Sequence, residues 1–184
     1  MPHDYATRPR TEIKRRDREV ADTTWIAAFL SRAPMAVLAT VHAGRPFVNS
    51  NLFVYDPSRH VIYMHTARYG RTQANVDQDE QVCLSVSEMG RLLPAKKALE
   101  FSVEYSGVTI FGRARIIDDQ AEAAYGLQLL LDKYFAHLRP GEHYQPISPD
   151  ELERTTVYRI AIDEWSGKAK RVDADFAGAF LYSA

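Results

Sequence analysis

Hydrophobic and polar positions along the chain change their period more than once. Trp25, Ile26, Phe29 and Leu30 recur at helical spacing, Asp22 stands where an N-cap belongs and Pro34 closes the segment, which predicts an amphipathic helix over Thr23–Arg32. From Met35 the spacing becomes that of strands. Met35–Val41 is a short apolar run, His42-Ala43-Gly44 is a turn, and Arg45–Tyr55 mixes Val, Phe and Tyr with Asn and Ser, so the two segments read as a hairpin. Asp56-Pro57-Ser58 supplies turn chemistry and leads into a third strand, His60–His65. Gln81–Ser87, Glu100–Ile117 and Thr155–Ile162 complete six strands, and Gly107 and Gly112 predict bulges or bends within the longest of them. Helical spacing returns in Tyr69–Val76 and in Gln120–His137, where Ala124, Leu127, Leu130, Leu131 and Phe135 share one face. Ser148-Pro149-Asp150-Glu151 reads as the capped start of a short helix. Six strands in mostly hairpin order with few helices predict a mainly β fold, an antiparallel barrel rather than a doubly wound parallel sheet.

Composition narrows the classes that fit. The chain has 184 residues, 46% hydrophobic and 26% charged, with a formal net charge of −1, the proportions of one ordinary globular domain. We read a polar N-terminal arm over 1–20 and a single domain over 21–184. No apolar run approaches the roughly 18–20 residues that cross a bilayer, and the N-terminus is polar throughout, which predicts a cytoplasmic protein without secretion or membrane insertion. A lone cysteine, Cys83, excludes an internal disulfide and a cysteine-rich zinc site, and a place in the barrel core suits it. Near-zero charge argues against nucleic acid; the basic stretch Thr11–Arg18, broken by Glu12 and Asp17, reads as a solvated helix or arm. No G-x-G-x-x-G follows a strand, and no P-loop, H-E-x-x-H or G-x-S-x-G occurs. The six histidines show no metal-ligand spacing, so no metal site is predicted.

The stretch richest in candidate chemistry is Val61–Thr72, a strand that ends in His65 and passes through a glycine-containing loop into a helix. A helix N-terminus offers unpaired backbone N–H groups, and Thr66, Arg71 and Thr72 add two hydroxyls and a guanidinium, the makings of a phosphate seat. The plain alternative stays open at this point: Arg71 as a solvated helix residue and His65 as a strand-end histidine satisfied by backbone.

Four stretches, in order, resemble the pyridoxamine 5′-phosphate oxidase-like FMN-binding split-barrel superfamily, in particular its nitroimidazole-reductase-like branch. They are Arg15–Val20 with Met35–Thr40 and Gly44-Arg45-Pro46-Phe47-Val48; His65-Thr66-Ala67 with Gly70-Arg71; Tyr105–Arg113; and Trp165-Ser166-Gly167-Lys168. The resemblance implies a six-stranded antiparallel split β-barrel and a homodimer with FMN at the subunit interface. It implies that Asn49, Ser50 and Asn51 line the ring and ribityl region, that His65 and Thr66 flank the flavin with His65 as acid or electrostatic partner in catalysis, and that Gly70, Arg71 and Thr72 hold the phosphate. It further implies that Trp165 and Lys168 reach in from the partner subunit. The activity it implies is a flavin-dependent oxidoreductase that carries electrons from NAD(P)H to a small acceptor. A non-catalytic flavin-binding module, or the same barrel with haem or a deazaflavin, is the alternative; haem would need an axial ligand such as a histidine. Two positions depart from the pattern: Thr72 stands where the family usually has lysine, and Gly107 where it has a serine.

Overall fold

The computed structural model describes residues 5–183, so the first four residues of the polar arm and the last residue of the chain lie outside it. Its elements are β1 (Glu19–Val20), α1 (Thr23–Arg32), β2 (Ala36–His42), β3 (Arg45–Asn51), β4 (Val54–Asp56), β5 (Val61–Ala67), α2 (Arg71–Gln78), β6 (Gln81–Leu93), β7 (Ser102–Ile116), α3 (Gln120–Tyr134), α4 (Pro149–Glu153) and β8 (Thr155–Lys170). Helix starts follow side-chain chemistry. The Asp22 carboxylate accepts from the Thr24 N–H at 2.8 Å to open α1, and Ser148 and Glu151 form a reciprocal capping box on α4.

All pairings are antiparallel, in the order β3-β2-β6-β7-β8-β5-β4 with β1 on β8. The strands are thus eight rather than six. Arg45–Tyr55 divides because two N–H groups leave the ladder: Leu52 donates to the Asn51 side chain at 2.8 Å and Phe53 to the Tyr134 hydroxyl at 3.1 Å. The other addition is the two-residue β1, which ties the arm to the far end of β8. β3 and β4 end the sheet and do not pair with each other, so the curled sheet is split rather than closed.

β8 runs well past Ile162. Asp163 and Glu164 do not stop it, because their carboxylates pair at 3.0 Å with Arg113 and Arg10 while the backbone continues on β7 to Lys170. The ladder shifts register between Phe111 and Gly112, and a Cβ at Gly112 would collide with the Ala161 carbonyl, which explains a glycine at that bulge.

Ile26, Phe29 and Leu30 from α1 close the inside of the sheet over Leu38, Ile62, Leu84, Ile110 and Tyr158. Each such side chain contributes roughly 1.5–3 kcal/mol on burial. A smaller core of Val54, Val61, Tyr63 and Leu130 lies under α3. That helix buries Ala123, Gly126 and Leu130, so of the expected stripe through Ala124, Leu127, Leu130, Leu131 and Phe135 only Leu130 is fully buried. Gly126 sets the rotation: a Cβ there would lie 2.8 Å from the Tyr63 ring, so only glycine lets α3 approach this closely. α3 also ends at Tyr134, three residues before the expected His137.

Candidate functional site

Strand register turns alternate β3 side chains in opposite directions. Asn49 and Asn51 lie opposite buried Leu38 and Ala36, whereas Ser50 lies opposite exposed Val37. The two asparagines therefore face inward, toward β5 and α2, and Ser50 faces out. Asn49 Nδ2 donates to the buried Thr72 hydroxyl at 3.3 Å, and Asn51 Nδ2 donates to the His65 carbonyl. Thr66 meets the Tyr158 hydroxyl at 3.0 Å. Asn49, Asn51, His65, Thr66 and Thr72, separated in sequence, thus form one corner.

Two residues that the sequence did not single out complete it. Asn75 Nδ2 donates to the Thr40 hydroxyl at 2.8 Å, both residues fully buried. The available signal was position: Asn75 sits one turn after Thr72, beside Val76 on the buried face of α2. Gly70 is the N-cap of α2 and offers no side-chain bond; Arg71 is exposed and no acid occupies the first turn. No side chain caps the N–H groups of that turn, which begins at a guanidinium-bearing residue. α2 begins at Arg71, two residues later than expected, because the loop before it is tied to the end of α4 and the start of β8: the Arg68 N–H donates to Arg154 O at 3.2 Å and Thr156 Oγ1 to Arg68 O at 2.9 Å.

Two buried polar atoms of this corner have no hydrogen-bond partner, Asn75 Oδ1 and His65 Nδ1. Buried polar atoms of folded proteins are nearly always paired, so an orphan in a cluster otherwise bonded throughout points to a missing ligand.

His65 belongs to a second space as well. It lines a cavity of about 770 Å³ whose walls are Leu52, Leu127, Leu130, Leu131, Tyr134 and Leu138. Arg154, Glu151 and Gln145 supply its polar margin. Burial pushes the imidazole below its ordinary pKa, with no charged neighbour opposing the shift, so the ring is neutral at pH 7.

Trp165 and Lys168 lie elsewhere in the chain. β8 passes His65 at Val157 and reaches Trp165 eight residues later, about 26 Å along the strand. Trp165 pairs with buried Ile110 and packs edge-on against His60 and Tyr55, at ring distances of 4.7 and 5.8 Å. Lys168, opposite Gly107, faces the other side of the sheet, with Nζ 5.6 Å from the Tyr105 ring. Neither reaches the corner within one chain. Cys83 is half-buried on β6, and burial raises its thiol pKa, as for an unreactive packing residue.

Comparison with protein families matches the model described as pyridoxamine 5′-phosphate oxidase over residues 22–169. The chain belongs to the pyridoxamine 5′-phosphate oxidase family. No curated protein matches it. Among solved structures it is similar to the flavocytochrome Anf3 from Azotobacter vinelandii, with 26% identity over 96% of this chain and 86% of that one and a TM-score of 0.77. It is also similar to an FAD and heme binding protein from Mycobacterium smegmatis, with 24% identity, 86% and 77% coverage and a TM-score of 0.72. A third likeness is to a candidate 5-nitroimidazole antibiotic resistance protein from Bacteroides thetaiotaomicron, with 17% identity, 82% and 86% coverage and a TM-score of 0.67. The last two likenesses establish the shared fold alone. Family membership covers α1 through β8 and therefore every residue of the corner. Among the described residues of this family member, no helix is long and apolar enough to cross a membrane.

Proposed function

We propose that the corner between β3, β5 and α2 holds a flavin, with FMN as the bound group, and that the protein is a flavin-dependent oxidoreductase of the cytoplasm carrying electrons from NAD(P)H to a small acceptor. One observation carries the reading: Asn49, Asn51, Thr72 and Asn75 converge beside an uncapped helix N-terminus and leave a buried carbonyl oxygen unpaired. Gly70, Arg71 and the first-turn N–H groups would bind the phosphate, with the Thr72 hydroxyl beside them. Thr72 is buried under Asn49, so the charge that a lysine gives other family members falls to Arg71 here. The inner face and backbone of Asn49–Asn51 would run along the ring and ribityl chain, Asn75 Oδ1 would accept from the ligand, and His65 and Thr66 would flank it. The flavin supplies the hydride and electron chemistry when bound; the chain orients it and keeps water from one side. A solved relative whose name includes FAD is consistent with this, since FAD contains the whole of FMN.

The same proposal includes a homodimer. β3 is an end strand of seven residues with its outer edge unpaired, and Val37, Val41 and Val48 are exposed on the outer face of its hairpin. Such an edge and apolar face call for cover. A second copy laid there would offer its Lys168 from the open side of its sheet and the exposed edge of its Trp165.

The purified protein should be yellow, release FMN on denaturation and lose flavin absorbance when mixed anaerobically with NADH or NADPH. A colourless protein whose melting temperature is unmoved by added FMN or FAD would sink the reading. Bound flavin that neither nucleotide reduces would leave a binding module, not an oxidoreductase. A monomer in sedimentation that binds flavin at full affinity would remove the dimer.

A second reading adds haem, and a specific observation favours it: the neutral His65 ring, with an orphaned nitrogen, lines a cavity walled by leucines. That donor and lining fit an iron porphyrin, whose ring is apolar and whose iron takes imidazole; Arg154 at the margin suits a propionate. Two of the similar structures are described as a flavocytochrome and as a heme binding protein.

A further inference from the structure

We infer that the cavity beside His65 is the seat of the electron acceptor and takes an organic monoacid with an apolar body, its acid head held by Arg154. The acceptor role rests on the flavin reading, whereas the seat itself does not. The lining divides in two. Leu127, Leu130 and Leu131 of α3, with Leu138 after it, make an apolar side, and residues 144–155 carry most of the polar groups. Three donors among them have no acceptor within the described residues. The Arg154 guanidinium is exposed and makes neither an ion pair nor a hydrogen bond, and the exposed Gln145 amide makes none. The Tyr144 hydroxyl accepts from Gln128 Nε2 at 3.0 Å, which leaves its own proton to give. Other hydroxyls of the lining are taken: that of Tyr134 lies 2.9 Å from the Pro34 and Phe53 carbonyls, and Thr155 Oγ1 donates to the Glu151 carbonyl at 2.9 Å.

Donors grouped around one cation and lacking acceptors are completed by an anionic head. Arg154 is the only arginine or lysine on the lining and burial keeps His65 neutral, so the seat balances one negative charge. Glu151, the only acid there, is within electrostatic reach of Arg154, but its Oε2 accepts from the Ser148 N–H and hydroxyl at 2.8 and 3.0 Å in the cap of α4. The apolar side decides the rest of the molecule. A sugar or a nucleotide laid against leucine would lose its water without replacing it, whereas a hydrocarbon chain or an aromatic ring gains by the same burial. The volume, about 770 Å³, is that of a small-molecule site. His65 and Leu52 form the wall shared with the flavin corner, because the Asn51 side chain bonds both the His65 carbonyl and the Leu52 N–H. The acid head is thus a handle, and the reducible group belongs to the body. A quinone body balances the reaction: NAD(P)H gives up a hydride equivalent, water gives a proton, and the quinone leaves as hydroquinone with its carboxylate unchanged.

The test is a calorimetric titration of the full-length protein, its flavin content recorded, with octanoate, hexanoate and 1-octanol. Octanoate should bind at one site per chain, about 10-fold tighter than 1-octanol, which lacks the charge, and about 10-fold tighter than hexanoate, which lacks two methylenes. Arg154→Met keeps the aliphatic stem; it should bring octanoate down to the level of the alcohol and leave the alcohol unmoved. Circular dichroism reports whether that variant is folded; were it not, Arg154→Lys should keep the preference for the acid. In turnover, Arg154→Met should raise KM about 10-fold for a naphthoquinone carrying a carboxypropyl chain and leave it unchanged for the butyl analogue. Equal affinity of the wild type for octanoate and 1-octanol, or octanoate binding unchanged in Arg154→Met, overturns the assignment of the head. Haem that fills the cavity and excludes octanoate overturns the seat. A protein that holds flavin and ignores octanoate leaves the flavin reading standing and overturns the inference. One that prefers octanoate but takes up no flavin keeps the seat and loses the acceptor role together with the flavin reading.

Discussion

Two polar clusters of this protein are built from similar materials and end differently. At the far end of β6, Glu104 accepts from Arg91 Nε at 2.9 Å and Nη2 at 3.0 Å, and from the N–H of Val172 at 2.9 Å. The remaining guanidinium donors go to the carbonyls of Val172, Asp173 and Ala174. That clasp is closed: each charge meets its opposite, and the chain after β8 is pinned by it. In the corner around α2, by contrast, Asn49, Asn51 and Asn75 spend their N–H₂ groups on neighbours while Asn75 Oδ1 and His65 Nδ1 find none. A cluster that satisfies itself serves the fold, and one that stops short leaves binding capacity for something else.

The comparison breaks if the two clusters respond alike to mutation. Arg91→Met strands the Glu104 carboxylate among its N–H partners without its cation, the costly way to break such a pair. We expect the largest loss of stability here, on the order of 10 °C in thermal midpoint, with flavin per folded chain unchanged. Scanning calorimetry together with flavin content checks it; a variant as stable as the parent would show that the clasp is ornamental.

Arg71→Ala should do the reverse. Its side chain is exposed and makes no ion pair among the described residues, so the melting temperature should hold, while loss of a charge-assisted contact to phosphate should weaken flavin about 10- to 100-fold. Equal loss of flavin affinity in Arg71→Ala and Arg91→Met would move the phosphate seat away from α2.

The contrast between these clusters also marks what could be read from the residues alone. The caps at Asp22 and Ser148, the hairpin turn before Arg45 and the helical spacing of α1 are local signals, and all stand where expected. The strand count and the length of β8 were not local: Asp163 and Glu164 break the apolar alternation, and only pairing to Arg113 and Arg10, contributed by β7 and the arm, keeps them in a strand. Pairing of Arg10 with Glu164 and burial of Ile13 likewise put part of the N-terminal arm against the sheet, which its polar sequence does not announce. In the corner, Asn49, Asn51, His65, Thr66 and Thr72 were legible through the family pattern, whereas Asn75 and Thr40 needed the packing of α2 on β2. The cavity beside His65 was least legible, since Leu52 and His65 meet walls that come from residues 127–155 and depend on Gly126 setting the rotation of α3.

Acid separates the clusters again, with a smaller effect. Its bonds to Arg91 and to the Val172 N–H pull Glu104 down to about 2 from an ordinary 4.5. A carboxyl whose pKa is depressed by folding contributes its full stabilisation above 4.5 and loses it as pH falls from there toward 2, because the unfolded chain takes up the proton first. Urea midpoints of the parent should therefore decline more steeply over that interval than those of Glu104→Gln, which is less stable at neutral pH but flatter in acid. Parallel curves would mean that Glu104 does not report the clasp.

The smallest expected effect sharpens the comparison most. Gly70 occupies the N-cap of α2 in an extended conformation, nothing lies within 4 Å of where its Cβ would be, and no side chain caps the helix. Gly70→Ser therefore fits without strain, and its hydroxyl can accept from the first-turn N–H groups, a gain of a few tenths of a kcal/mol. Those are the groups assigned to the phosphate. The variant should consequently melt slightly higher without flavin and bind flavin several-fold more weakly, because ligand and cap compete for the same donors. A gain in both properties would mean that the open end of α2 is an unoptimised helix start. A gain in one at the expense of the other would identify the missing cap as the place kept for the ligand.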